Sequence, residues 1–256
     1  MRIAISGTAN LGKTTLLKDF LLEWPNYKTQ DSTYRDLIKS KNYPCNKEVT
    51  KEGQWAILNN MIDELQKHDK DSNIIYDRCP LDCLVYTLWA YEKQSSDIDD
   101  EFISKMIPLV KKSYHYLDII FFTPICKYNQ INIEEKDLRD TDKQYIEEID
   151  NVFKGLLSQY QNNIQSNVFF DPMDSPAIIE VFGSREERIQ YMRQYLNVDG
   201  EIIGEENSIL NPENLNDMYD ILKSQQDLLK QEQMEKEQRA MISDFEKYAG
   251  KKSKKR

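Results

Sequence analysis

The chain has 256 residues, 39% of them apolar and 30% charged, with a net charge of −10; that is enough for one large domain, or for a domain with an appendage, around a real core. The acidic balance argues against a general nucleic-acid coat, while leaving room for a local basic groove. Met1 leads straight into an apolar run, and no apolar stretch approaches the roughly 20 residues that span a bilayer, so the expectation is a cytoplasmic protein with no signal peptide and no membrane span.

The run Ile3-Ala4-Ile5 predicts a first strand over 2–6. Residues Gly7-Thr8-Ala9-Asn10-Leu11-Gly12-Lys13-Thr14 then fit G-x-x-x-x-G-K-[ST], and apolar spacing predicts a helix over 13–23. Strand, glycine loop and helix in this order are the context that gives the motif its meaning. Glycines let successive backbone N–H groups surround a polyphosphate at a helix N-terminus, where the dipole also favours negative charge. Gly7, Asn10, Leu11, Gly12, Lys13, Thr14 and Thr15 are therefore the candidate nucleotide-binding residues, with Lys13 on the β/γ-phosphates and the Thr14 hydroxyl on Mg²⁺.

Further along, a weak strand is expected at 27–30, a helix at 52–68, a buried strand at 73–77 and a helix at 81–93. Helices at 100–113 and 142–160, strands at 117–123 and 178–182, and a helix at 184–196 complete the series; Ser184 and Glu187 spell a capping box for the last. Strands alternating with longer periodic segments predict a doubly wound α/β fold with a parallel sheet of about five strands. Cys45, Cys79, Cys83 and Cys126 form no C-x-x-C pair and are joined by only two histidines, so small half-buried thiols explain them better than a zinc site. Asp77 closes the 73–77 strand at the end where ligands bind in open α/β sheets. Two roles are open to it: taking a proton from an attacking hydroxyl, or supporting Mg²⁺ through a water. Arg78 follows where an ATPase motor typically carries Glu, and its guanidinium is a fork for a phosphate.

Composition changes near residue 200, giving a 1–197 domain and a 198–256 region of linker, amphipathic helix and basic tail. From about 214 the apolar spacing predicts a C-terminal helical extension, which packs on its own domain or pairs with another copy. The tail at 251–256 is a solvated end or a nucleic-acid contact.

Taken together, the Gly7–Thr15 loop, Asp77-Arg78-Cys79-Pro80-Leu81-Asp82 with Tyr86, and Asp137-Leu138-Arg139-Asp140-Thr141-Asp142 with Tyr145 resemble the P-loop nucleoside and nucleotide kinases. The likeness is nearest to the compact proteins related to ribosylnicotinamide kinase, with a fainter one to thymidylate kinase in the Asp-Arg element, and it covers residues 1 to about 197. It implies a phosphotransferase moving the γ-phosphoryl group of Mg-ATP to a (deoxy)nucleoside or nucleoside monophosphate, with ATP and Mg²⁺ as cofactors. It also implies a lid at about 127–145 whose Arg139 closes over the phosphates. Asp31 and Arg35 would hold the acceptor, and Gln54 and Trp55 its base, unless Trp55 is core. Asp82 would bind sugar hydroxyls or simply begin a helix, and Gly183 would hold the adenine through its backbone. Two other readings stay open: a kinase acting on DNA or RNA, at a 5′ end or a hydroxylated modified base, and a nucleotide-binding switch with little turnover.

Overall fold

A computed structural model describes residues 1–129, 140–161, 169–170 and 175–203. The lid expected around 127–145, apart from its two ends, and the helical extension expected from 214 lie outside the described residues. Five parallel strands stand in the order β2-β3-β1-β4-β5: β1 (Arg2–Ser6), β2 (Lys28–Thr29), β3 (Ile74–Asp77), β4 (Ile119–Phe122) and β5 (Ala177–Glu180). β1 pairs with β3 on one side and β4 on the other, so the chain leaves the centre in opposite directions from neighbouring strand ends. That switch of direction opens a crevice at the carboxyl end of β1, where the glycine loop follows.

Alternation of side chains sorts the core into two layers. Ala4, Tyr76, Ile120 and Phe122 face a cluster built on α3 (Lys51–Gln66), α4 (Pro80–Glu92), α5 (Asp100–Ser113) and α6 (Lys143–Gln161). Ile3, Ile5, Ile75 and Phe121 face the other way, onto α1 (Lys13–Glu23) and α7 (Arg185–Met192). The central strand is apolar on both faces because both are covered.

The helix termini follow local chemistry. Thr50 accepts from the Gly53 N–H at 3.2 Å and Asp99 from the Phe102 N–H at 2.9 Å. Ser184 and Glu187 form the expected reciprocal box. Pro80 opens α4 at its first position, one residue before the start expected at 81, because its missing N–H costs nothing there. The 184–196 helix stops at Met192 rather than continuing to 196, and the 178–182 strand is Ala177–Glu180.

One α-helix was not anticipated: α2 (Tyr34–Lys41). Its signals are Thr33 and Asp36 in a capping box and Asn42 in the left-handed region at φ 54°, too short a set to stand out beside longer periodic segments. The unit that contains the sheet runs from Met1 to Ile202. Its last residues are tied back by Trp24 Nε1 donating to the Asn197 carbonyl at 2.9 Å and the Tyr27 hydroxyl to the Gly200 carbonyl at 2.5 Å. Among the described residues no helix is long and apolar enough to cross a membrane.

Candidate active site

The loop between β1 and α1 can take its path only with glycine at its start. Gly7 has φ +134°, and a Cβ there would lie 2.6 Å from Thr123 Oγ1 and 2.7 Å from the Thr123 carbonyl oxygen. Asn10 and Gly12 also sit at positive φ, 62° and 74°. Thr8 donates to the Ile146 carbonyl at 3.0 Å and Asn10 Nδ2 to the Asp140 carbonyl at 3.0 Å, which anchors the loop to the start of α6. The N-cap of α1 is Gly12, with no side-chain cap and no acidic residue in the first turn. Its N–H groups are thus left for an anion.

Lys13 is buried, and its amine donates to the Thr8 carbonyl at the far side of the same loop. Burial, and after it the nearby Arg78 charge, hold its pKa well below the usual lysine value; Asp82 and Asp77 pull the other way. A buried lysine amine whose hydrogen-bond partner is a carbonyl gains its charge most readily when an anion arrives with it. Lys13 lines a cleft of about 810 Å³, counted out to open solvent at its mouth.

Arg78 also lines this cleft, in the left-handed region at φ 79°, a cost that a β-carbon residue carries only where the surroundings enforce it. Its Nη1 donates to the Gly7 carbonyl at 3.1 Å and to Asp82 Oδ1 at 2.7 Å, and its Nη2 to the Tyr86 hydroxyl at 3.2 Å. Tyr34 and Tyr86 flank the guanidinium, with ring centroids at 5.3 and 5.2 Å. Much of the fork expected to face a phosphate is therefore engaged in holding the loop.

Asp82 has the helix-start role that the sequence allows it. It is 1% exposed; Oδ2 accepts from Ser6 Oγ at 2.7 Å and the Cys79 N–H at 3.1 Å, while Oδ1 takes Arg78 and the Gly7 N–H at 3.3 Å. It caps the first turn of α4 and rivets the loop to it, while also lining the cleft.

The remaining expected residues divide. Arg35 lines the cleft and pairs with Asp77, Nη1 to Oδ2 at 3.1 Å. Asp77 itself lines a smaller neighbouring cavity rather than the cleft. Thr14 lines the cleft; Thr15 is exposed and does not. Gln54 reaches the cleft wall, its amide oxygen accepting from the Cys83 thiol at 3.1 Å. Trp55, one residue on, turns to the other side of α3 and packs edge-on against Phe102 of α5 at 5.8 Å, so it is a packing residue and not a stacking platform in the cleft. Asp31 is exposed and lines neither cavity. Arg139 lies outside the described residues. All four cysteines are free, and among the described residues no cluster suits a metal.

Sequence reasoning missed Arg188. Its guanidinium donates to the Leu11 carbonyl at 2.8 Å, to the Gly183 carbonyl at 3.0 Å and to Asn129 Oδ1. One side chain thus clasps the glycine loop, the turn after β5 and the turn after β4. Gly183, at φ 97°, keeps its carbonyl in this clasp. In the sequence Arg188 is one more charge in a polar helix start, and only the packing of α7 beside α1 gives it these partners. The apolar wall of Ile38, Val49, Ile57 and Met61 was also missed, because half of it comes from α2 and the loop after it.

A family model described as an AAA domain matches residues 2–166, well over half the chain. The chain belongs to this AAA-domain family. Among solved structures, NadR in complex with NR matches with a TM-score of 0.54 at 15% identity, over 79% of this chain and 53% of that one. NadR with NAD and AMP-PNP matches at 0.50 and 15%, over 76% and 49%. Deoxyadenosine kinase from M. mycoides with dCMP and dCDP matches at 0.48 and 18%, over 74% and 95%. The AAA-domain chain thus has the P-loop fold of NadR, and it spans about half the length of the NadR chains it matches. No curated protein matches its sequence.

Proposed function

We propose that the chain is a P-loop kinase that transfers the γ-phosphoryl group of Mg-ATP to a nucleoside or nucleoside monophosphate. The observation that carries this reading is the buried Lys13 amine beside Arg78, at an uncapped helix N-terminus that opens onto a cleft with an apolar far wall. A polyphosphate satisfies the cations and the free N–H groups, and the wall of Ile38, Val49, Ile57 and Met61 suits a flat base whose edge meets the Gln54 amide. The fold likeness to a NadR structure holding AMP-PNP and NAD supports the same assignment.

Thr14, on the cleft wall, fits a Mg²⁺ ligand; Asp77, held by Arg35, would reach the ion through water. The metal would draw charge from the β- and γ-phosphate oxygens. Arg78 fixes the Gly7 end of the loop, Lys13 leaves the Thr8 carbonyl for the phosphates, and Arg35 stands between the acceptor and Asp77. Asp77 takes the acceptor's proton through the oxygen that Arg35 now holds, or serves the metal alone. Transfer of this kind rests mainly on positioning and fixed charge. Arg139 remains the residue proposed to close the lid.

The test is a screen with labelled ATP and Mg²⁺ against nucleosides, nucleoside monophosphates and oligonucleotides. We expect transfer to a nucleoside or monophosphate; transfer only to oligonucleotides, or to nothing, overturns the reading. Asp77→Asn separates its two roles. Loss of kcat greater than loss of ATP affinity marks a base, and equal loss marks metal support.

A further inference from the structure

Beside the cleft, and sharing Arg78 with it, lies a second cavity whose walls include Gln30, Asn60, Glu64, Tyr76, Asp77 and Arg78. Glu64, Tyr76, Asp77 and Arg78 are between 2% and 8% exposed. Each carries one buried polar atom with no partner in the protein: Glu64 Oε2, Tyr76 Oη, Asp77 Oδ1 and Arg78 Nε. Buried polar groups are seldom left so, and four such atoms on residues that line one cavity call for a partner.

The chemistry of the four atoms identifies it. The two carboxylate oxygens only accept, the Arg78 Nε–H only donates, and the tyrosine hydroxyl can donate. A water molecule has two hydrogens to give and two lone pairs to offer, which matches two acceptors and two donors. A metal cation would instead meet the Arg78 charge. The space is small, with room for about one water, the measure a buried water needs.

We propose that this cavity holds a structural water bridging Asp77 and Glu64, with Arg78 and Tyr76 donating to it, and that Glu64 is thereby a positioning residue for the acid and the arginine of the site. Asp77 has its other oxygen on Arg35 and its backbone N–H and carbonyl on the Gln30 side chain, so the water fixes the last free atom of the carboxylate. The other carboxylate oxygen of Glu64, Oε1, pairs with Lys67 at the surface, a solvent-exposed contact that fixes little. The orienting role rests on the kinase reading; the water does not.

The experiment therefore has two arms. A crystal structure of the full chain at a resolution that shows ordered water should place one in this cavity, in hydrogen-bond reach of Glu64 and Asp77. A dry cavity, or a metal ion there, overturns the proposal. In the kinetic arm, Glu64→Gln keeps the shape but replaces an acceptor by a donor, and with ATP and a panel of ribo- and deoxyribonucleosides it should lower kcat about 10- to 100-fold with KM for ATP unchanged. Glu64→Asp should recover part of the rate. Lys67→Met, which perturbs the same helix surface, should stay within about twofold. Full kcat in a folded Glu64→Gln, or a matching loss in Lys67→Met, overturns the orienting role. A wild-type chain that phosphorylates nothing in the panel overturns the kinase reading and the orienting role with it, and the water is then judged by the map alone.

Discussion

The two ends of the cleft are built by different means. At the end proposed for the phosphates the backbone does the shaping: positive φ at Gly7, Asn10 and Gly12 and an uncapped helix start present N–H groups that do not depend on side-chain rotamers. At the end proposed for the acceptor side chains from α2, α3 and α4 meet across the fold, with Gln54 set by the Cys83 thiol and Arg35 by Asp77. A site made of backbone tolerates few substitutions at a few glycines and one lysine. A site made of side chains can be retuned residue by residue, so affinity for ATP and choice of acceptor should respond to mutation separately.

Lys13→Ala offers the hardest test of that contrast. It should lower transfer about 10³-fold in a labelled-ATP assay while leaving the fold intact; a variant that keeps its rate would take the phosphate end away from this loop. Gly7→Ala comes next. The added methyl meets the rigid Thr123 carbonyl at 2.7 Å in a backbone region that alanine rarely adopts, and denaturant unfolding should report a loss of about 2–4 kcal/mol.

Arg188→Ala leaves the Leu11 and Gly183 carbonyls and Asn129 without their shared donor. KM for ATP should rise about tenfold, with KM for the acceptor little changed. Gln54→Leu is its mirror image: about a tenfold rise in acceptor KM and none for ATP. If either variant moves both constants together, the two ends are not separable.

The smallest effect is in pH. Lys13 has a folded pKa below its ordinary 10.5, so between those values the unfolded chain binds more protons and stability of the ligand-free protein rises with pH. Lys13→Met should remove that slope from a series of urea midpoints. ATP, by restoring the charge, should bind with proton uptake and weaken as pH rises through the same window. Calorimetry in buffers of different ionisation enthalpy reads the uptake directly, and binding without it would mean that Lys13 is already fully charged.

Motifs whose residues are adjacent in the chain are legible from the residues alone. The loop from Gly7 to Thr14, the capping box at Ser184 and Glu187, and the five strands follow from local spacing and apolar runs. Asp82 shows where this fails. Its place as third residue of a helix is readable, but its bonds to Ser6 and Gly7, 76 and 75 residues away, are not. Trp55 and Gln54 are neighbours in sequence, and about 100° of helical turn sends one to Phe102 and the other to the cleft.

By itself the sequence determined the alternation of strands and helices and the glycine loop between β1 and α1, because hydrophobic period and glycine stereochemistry act over a few residues. The tertiary structure alone decided that Arg188 clasps three turns, that Asp82 is a rivet, and that Glu64 and Asp77 share a cavity. Those contacts join parts of the chain far apart in sequence, and no local pattern encodes which distant polar group will complete a buried hydrogen bond once the layers have packed.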